Sequence, residues 1–201
     1  MTKVVATRRI GFALGLTLVA GTAGAADLAR SPIVPAVPMP AALRPSFISE
    51  VRFGFSAHDP WSPERGSANA TVEVLFAKPF TPADLFTSYF VPRPHIGASL
   101  NFGGATSFAY AGLTWTIDIT DRIFVEASFG GAVHNGETGR NVPLDRSALG
   151  CSPLFRESAS LGFRISQNWN VMATVEHLSN AGICNANRGL TNVGARLGYT
   201  F

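Results

Sequence analysis

The sequence predicts an all-β protein, an eight-stranded antiparallel transmembrane β-barrel that follows a cleaved signal peptide. Three observations predict it. Beyond residue 46 the apolar side chains recur with period two and are punctuated by turn formers, the pattern of strands joined by turns. The opposite face of those strands carries charges, among them Arg52, Glu73, Glu126, Arg156, Arg164, Glu176 and Arg196. Such charges are costly in a soluble core unless paired, whereas a small barrel pairs them inside and turns its apolar face to lipid. The strands are also about ten residues long, enough to cross a bilayer at a tilt.

The chain opens on a positive segment (Lys3, Arg8, Arg9), an uncharged apolar run from Ile10 to Ala20, and the small-x-small triplet Ala23-Gly24-Ala25. This is the build of an export signal, so residues 1–25 are expected to be removed after Ala25 or one residue later. The apolar run is short for a membrane helix, which takes about 20 residues. Of the 16 Lys and Arg, three lie in this segment, so 13 basic residues face 13 acidic ones in the remainder. The pI near 9.2 therefore mostly reports the signal, and no basic footprint for nucleic acid survives. Residues 26–46, including "RSPIVPAVPMPAALRPS", form a Pro/Ala-rich leader of extended chain. Residues 47–201 are assigned to the barrel.

Eight strands are expected, at Phe47–Ser56, Ala70–Ala77, Pro94–Phe102, Ser107–Asp118, Ile123–His134, Leu154–Ile165, Trp169–Leu178 and Thr191–Phe201. The last one is clearest: Val193, Ala195, Leu197, Tyr199 and Phe201 share one face, and Asn192, Gly194, Arg196, Gly198 and Thr200 the other. In the seventh, Trp169, Val171, Ala173 and Val175 oppose Asn170, Met172, Thr174 and Glu176. Glu126 and Glu176 point inward and are expected to meet interior arginines. With both termini in the periplasm, the tight turns at Ile119–Arg122 and Ser166–Asn168 are periplasmic, where short turns belong. Ala57–Asn69, Asn135–Ser152 and Ser179–Leu190 are then extracellular. Lys78–Arg93 is a long exception, with local helix expected at Pro82–Ser88. Cys151 and Cys184 fall in two outer loops; an oxidising compartment permits a disulfide between them, and two unpaired thiols are the alternative. The terminal "LGYTF" resembles the aromatic-ended final strand of bacterial outer-membrane barrels.

His177 and Ser179 continue the outward parity of Val171, Ala173 and Val175, which puts both on the lipid-facing side near the extracellular rim. The string "HLSNAG" with the downstream "NANRGL" resembles the motif of the PagL-type lipid A 3-O-deacylases, outer-membrane barrels also called acyloxyacyl hydrolases. The match covers about the last 25 residues. The resemblance implies a serine esterase acting on lipid A, with Ser179 as nucleophile and His177 as its general base. It also implies that Asn180 and Asn187 stabilise the oxyanion or position substrate; turn formation is the competing role for both. The family's third member is a glutamate at the start of the last strand. The same spacing here falls on Thr191, which carries no charge. A replacement comes from register. If Ile165 pairs with Trp169 across the tight turn, stepping along the ladder sets Glu157 opposite His177 on the outer face. Two readings stand for Glu157: the missing catalytic carboxylate, or a rim glutamate paired with Arg156 or a loop residue.

Other polar residues carry weaker signals. His58-Asp59 reads as loop chemistry before Pro60, with a metal or substrate contact as the alternative. His95 and His134 sit at strand ends without companions, no Cys/His set has zinc spacing, and no glycine-rich phosphate loop is present. The leading expectation is an outer-membrane hydrolase that removes an ester-linked acyl chain, 3-O by the resemblance, from lipopolysaccharide at the extracellular leaflet, with no cofactor and no metal. A non-catalytic structural or adhesive barrel of the same fold is the alternative, and Thr191 is its support. A soluble lipid-binding barrel is disfavoured by the inward charges.

Overall fold

The computed structural model describes residues 46–201, so the expected signal peptide and all of the leader but Ser46 lie outside the described residues. The strands are β1 (Ile48–His58), β2 (Ser67–Phe76), β3 (Arg93–Asn101), β4 (Phe108–Asp118), β5 (Ile123–His134), β6 (Leu154–Arg164), β7 (Trp169–Ser179) and β8 (Leu190–Thr200). They form one closed antiparallel barrel in chain order, with β1 sealing against β8. Each strand falls on one of the eight alternating segments. β1 and β2 run further than the alternation suggests, because Ala57 and His58 continue the ladder opposite Ala68 and Ser67. The alternation persists there, with Ala57 and Ala68 exposed while His58 and Asn69 are buried.

Among the described residues one helix forms, α1 (Leu85–Phe90), slightly later than Pro82–Ser88. Asp84 sets its start by accepting a hydrogen bond from Thr87 N at 2.8 Å, the role of an N-cap. Val91, which precedes Pro92, adopts extended backbone and ends it.

Burial alternates strictly along most of β6 and β7, inner residues buried and outer ones exposed. The interior is polar. Four arginines and four glutamates form one network: Arg52 meets Glu50, Glu73 and Glu126; Arg93 meets Glu50 and Glu126; Arg156 and Arg196 each meet Glu73 and Glu176. Glu126 and Glu176 thus sit where parity put them. A buried charge persists only when paired and hydrogen-bonded, and this set is internally neutral. Arg164 lies nearer the mouth and pairs with Asp118 instead.

The two ends differ. At the end holding the C-terminus, rings cluster outward: Phe47 with Phe76, and Tyr199 with both Trp169 and Phe201. This is the aromatic girdle of a membrane barrel. At the opposite end, the longer loops fold inward over an apolar cluster that includes Phe108, Leu149, Leu178 and Leu190.

Candidate active site

The tight turn between β6 and β7 sets the register that matters. Ile165 N donates to Trp169 O at 2.8 Å, and the ladder runs without a bulge from Arg164 opposite Asn170 to Phe155 opposite Ser179. Glu157 is therefore the cross-strand partner of His177 on β6, and Thr191 is its partner on β8. His177 and Ser179 lie on the outer face at the loop end of β7, both half-buried, while Glu157 is exposed.

The imidazole is held from the β8 side. Thr191 Oγ1 lies 2.8 Å from His177 Nδ1. Among the described residues no hydrogen bond joins Ser179 or Glu157 to the ring. The other nitrogen faces the 180–189 loop at Gly189: a Cβ there would stand 2.8 Å from His177 Cε1 and 3.1 Å from Nε2. Gly189 also has φ +70°, a left-handed conformation that glycine adopts at little cost. If Nδ1 carries the proton and donates it to Thr191, Nε2 keeps its lone pair and can act as a base.

The loop after Ser179 is braced from several directions. The Asn180 side chain is buried; its amide nitrogen donates to the carbonyls of Leu149 (2.8 Å) and Ala186 (2.5 Å), and its oxygen accepts from Gly182 N (2.9 Å). The side chain of Asn180 therefore builds the loop. Its backbone N–H donates to Asn187 Oδ1 at 2.9 Å, which fixes that amide with its NH2 group free of partners among the described residues. A disulfide joins Cys151 to Cys184, with Cα atoms 6.0 Å apart, and ties this loop to the one between β5 and β6. Beside Ser179 the outer wall holds an apolar recess of about 310 Å³, lined by Phe129, Gly131, Pro153, Phe155, Ile183 and the disulfide.

Sequence reasoning missed the polar assembly under this loop. Asp59 and Glu64 are both buried. Asp59 Oδ1 accepts the backbone N–H of Thr191 at 3.0 Å, Oδ2 accepts Ser147 Oγ at 3.4 Å, and Asp59 N donates to Asn192 Oδ1 at 3.2 Å. Glu64 joins three loops by accepting Thr106 N (2.9 Å), Thr106 Oγ1 (3.0 Å) and Ser147 N (3.0 Å), and it lies 2.9 Å from His58 Nε2. Burial pushes the Glu64 carboxyl up, but the bonds from His58, Ser147 and Thr106 outweigh it and hold the group at about 2. No local motif announces these contacts, because Asp59 and Thr191 are separated by 132 positions.

A model of the lipid A 3-O-deacylase (PagL) family matches residues 46–200, the whole barrel but its last residue. The chain belongs to this family. With membership come the family's chemistry, deacylation of lipid A, and a place in the outer membrane. No curated protein sequence matches the chain. Among solved structures, the crystal structure of the outer membrane enzyme PagL superposes with a TM-score of 0.59 at 17% identity, covering 76% of this chain and 100% of that one. A de novo designed transmembrane β-barrel gives a TM-score of 0.50 at 11% identity, over 79% of this chain and 98% of that one. At these identities the superpositions speak for the fold. They agree with the family match that PagL-like architecture extends through all eight strands.

Proposed function

We propose that the protein is a serine esterase that removes an ester-linked acyl chain, the 3-O chain, from lipid A at the extracellular leaflet. The observation that carries this reading is the imidazole of His177, clamped at Nδ1 by Thr191, on the same outer strand face as Ser179 and beside an apolar recess. Ser179 Oγ attacks the ester carbonyl carbon and its proton passes to His177 Nε2. The free NH2 of Asn187, oriented through Asn180 N, donates to the oxyanion. Collapse breaks the bond to the sugar oxygen, which takes the proton from Nε2, and leaves an acyl-serine. Water then attacks that ester, gives a proton to Nε2, and collapse releases the fatty acid while Ser179 Oγ recovers the proton. The hydrogen bond between Ser179 and His177 forms when substrate arrives, since catalytic contacts are commonly long in the free enzyme.

Glu157, opposite His177 on β6, supplies negative charge beside the imidazolium without occupying Nδ1. The recess takes the departing acyl chain, its apolar wall continuous with the lipid-facing surface. Residues 1–25 direct export and 26–46 lead into the barrel. Mass spectrometry of lipid A from cells expressing the wild type, Ser179→Ala and Glu157→Gln tests this. Loss of one acyl chain with the wild type and none with Ser179→Ala is expected; unchanged lipid A in cells with abundant wild-type barrel supports the non-catalytic reading that Thr191 favours. Full activity in Glu157→Gln removes that residue from the mechanism.

A further inference from the structure

We infer that Asp59, in the loop after β1, is a second carboxylate of the site besides Glu157, a positioning residue that acts on His177 through Thr191. The inference rests on the serine-esterase reading above. A histidine that serves as general base needs two things from its far side: an acceptor that keeps the proton on Nδ1, and negative charge that stabilises the imidazolium when it forms. Thr191 supplies the acceptor, with its hydroxyl oxygen 2.8 Å from Nδ1, but a hydroxyl is neutral and can equally donate. If it donates, the ring proton moves to Nε2 and the base is lost. Something must bias the pair toward the productive arrangement.

Asp59 is placed to do so. Its Oδ1 accepts the backbone N–H of Thr191, the same residue that touches the imidazole. The carboxylate is 5% exposed, and among the described residues its polar contacts are neutral: the Thr191 amide and the Ser147 hydroxyl. No Lys or Arg of those residues pairs with it. A carboxylate with no cation beside it leaves its negative charge to act on the groups around it. Behind Thr191, that field favours the proton on Nδ1 and strengthens as the ring becomes an imidazolium. Asp59 is further held at φ 38°, a conformation uncommon for a residue other than glycine, with its own N–H fixed by Asn192. Strained backbone persists only where its surroundings over-determine it. The carboxylate absent at the start of β8 is thus delivered from the neighbouring loop, one residue removed from the ring.

The same geometry supplies a clean test. In Asp59→Asn the amide oxygen can still accept the Thr191 N–H, and asparagine tolerates left-handed backbone, so the charge is what changes. Steady-state deacylation of lipopolysaccharide by the refolded full-length mature barrel is measured in detergent micelles, with the heat-dependent electrophoretic shift reporting folding. The expected result is a roughly 10- to 100-fold fall in kcat with KM within about twofold of wild type. In a Thr191→Val background, removing the Asp59 charge should cost less than in the wild type, because the hydroxyl that it orients is gone; losses that add in full overturn the inference. Thr191→Glu combined with Asp59→Asn should recover kcat by placing a carboxylate directly on the ring. Wild-type kcat in folded Asp59→Asn, alongside an inert Ser179→Ala, overturns the role of Asp59 and leaves the esterase reading intact. An active Ser179→Ala overturns both. If Asp59→Asn does not fold, 15N shifts of the His177 ring in the wild-type barrel decide: a proton on Nδ1 at neutral pH supports the inference, and one on Nε2 overturns it.

Discussion

At the scale of single residues, the site depends on what surrounds an ordinary histidine. In the proposed mechanism Thr191 contributes one hydrogen bond to a ring that becomes charged, so Thr191→Val should lower kcat about 10- to 100-fold while the barrel remains folded. Gly189 is constrained twice, by φ +70° and by the imidazole that a Cβ would strike. Gly189→Ala should therefore displace the ring and abolish most activity, a loss that no change in substrate concentration restores. Gly131 is the opposite case. A Cβ there meets only Leu154 O at 3.9 Å, so Gly131→Leu fits the backbone and fills the recess. The expected outcome is a shift toward shorter acyl chains among the released fatty acids, read by mass spectrometry.

At the scale of elements, β7 and its following loop carry the proposed site. The strand orients His177 and Ser179; the loop brings Gly189 and Asn187 back over them. The loop does not hold this shape alone. Asn180 reaches Leu149 and Ala186, Arg140 Nε donates to Asn185 O at 2.8 Å, and the disulfide closes a span of 33 residues. A crosslink of that span stabilises by about 2–4 kcal/mol. Replacing Cys151 and Cys184 by serine should make the 135–153 and 180–189 loops susceptible to protease before any strand is cut. An unchanged digestion pattern would show that the hydrogen bonds suffice.

At the scale of the whole molecule, two polar networks carry the barrel. The inner one is a neutral set of arginines and glutamates, and Glu73 is its hub, within 3.7 Å of Arg52, Arg156 and Arg196. Glu73→Gln leaves those cations short of a partner and should cost about 3–5 kcal/mol, seen as a lower urea midpoint. The outer one, around Glu64, joins the loops between β1 and β2, β3 and β4, and β5 and β6. Its carboxyl lies at about 2 in the folded barrel against an ordinary value near 4.5. A lowered folded value means that the stabilisation is present above the ordinary value and is lost as pH falls toward the folded one. The protection of amides in these loops against exchange, corrected for the intrinsic rate, should fall between about pH 4.5 and 2, and Glu64→Gln should show no such step.

The eight strands, their inward charges and the outward parity of His177 were legible along the chain, because a period of two assigns every strand residue to a face without knowledge of the neighbours. The pairing of Glu157 with His177 was legible as well, since a tight turn propagates its register along a regular ladder. At the loop end burial still alternates but the polarity reverses, with Leu178 and Leu190 inside while His177 and Ser179 face out, because loops rather than lipid meet the chain there. Thr191 shows the division. As a sequence position it is a carboxylate missing from a family motif. Closure of β1 against β8 brings the Asp59 loop to it, and the Thr191 N–H then donates to Asp59 Oδ1. What the sequence determined by itself was the face each residue occupies; what the tertiary structure decided was which loops converge on that face, because convergence depends on closing the barrel.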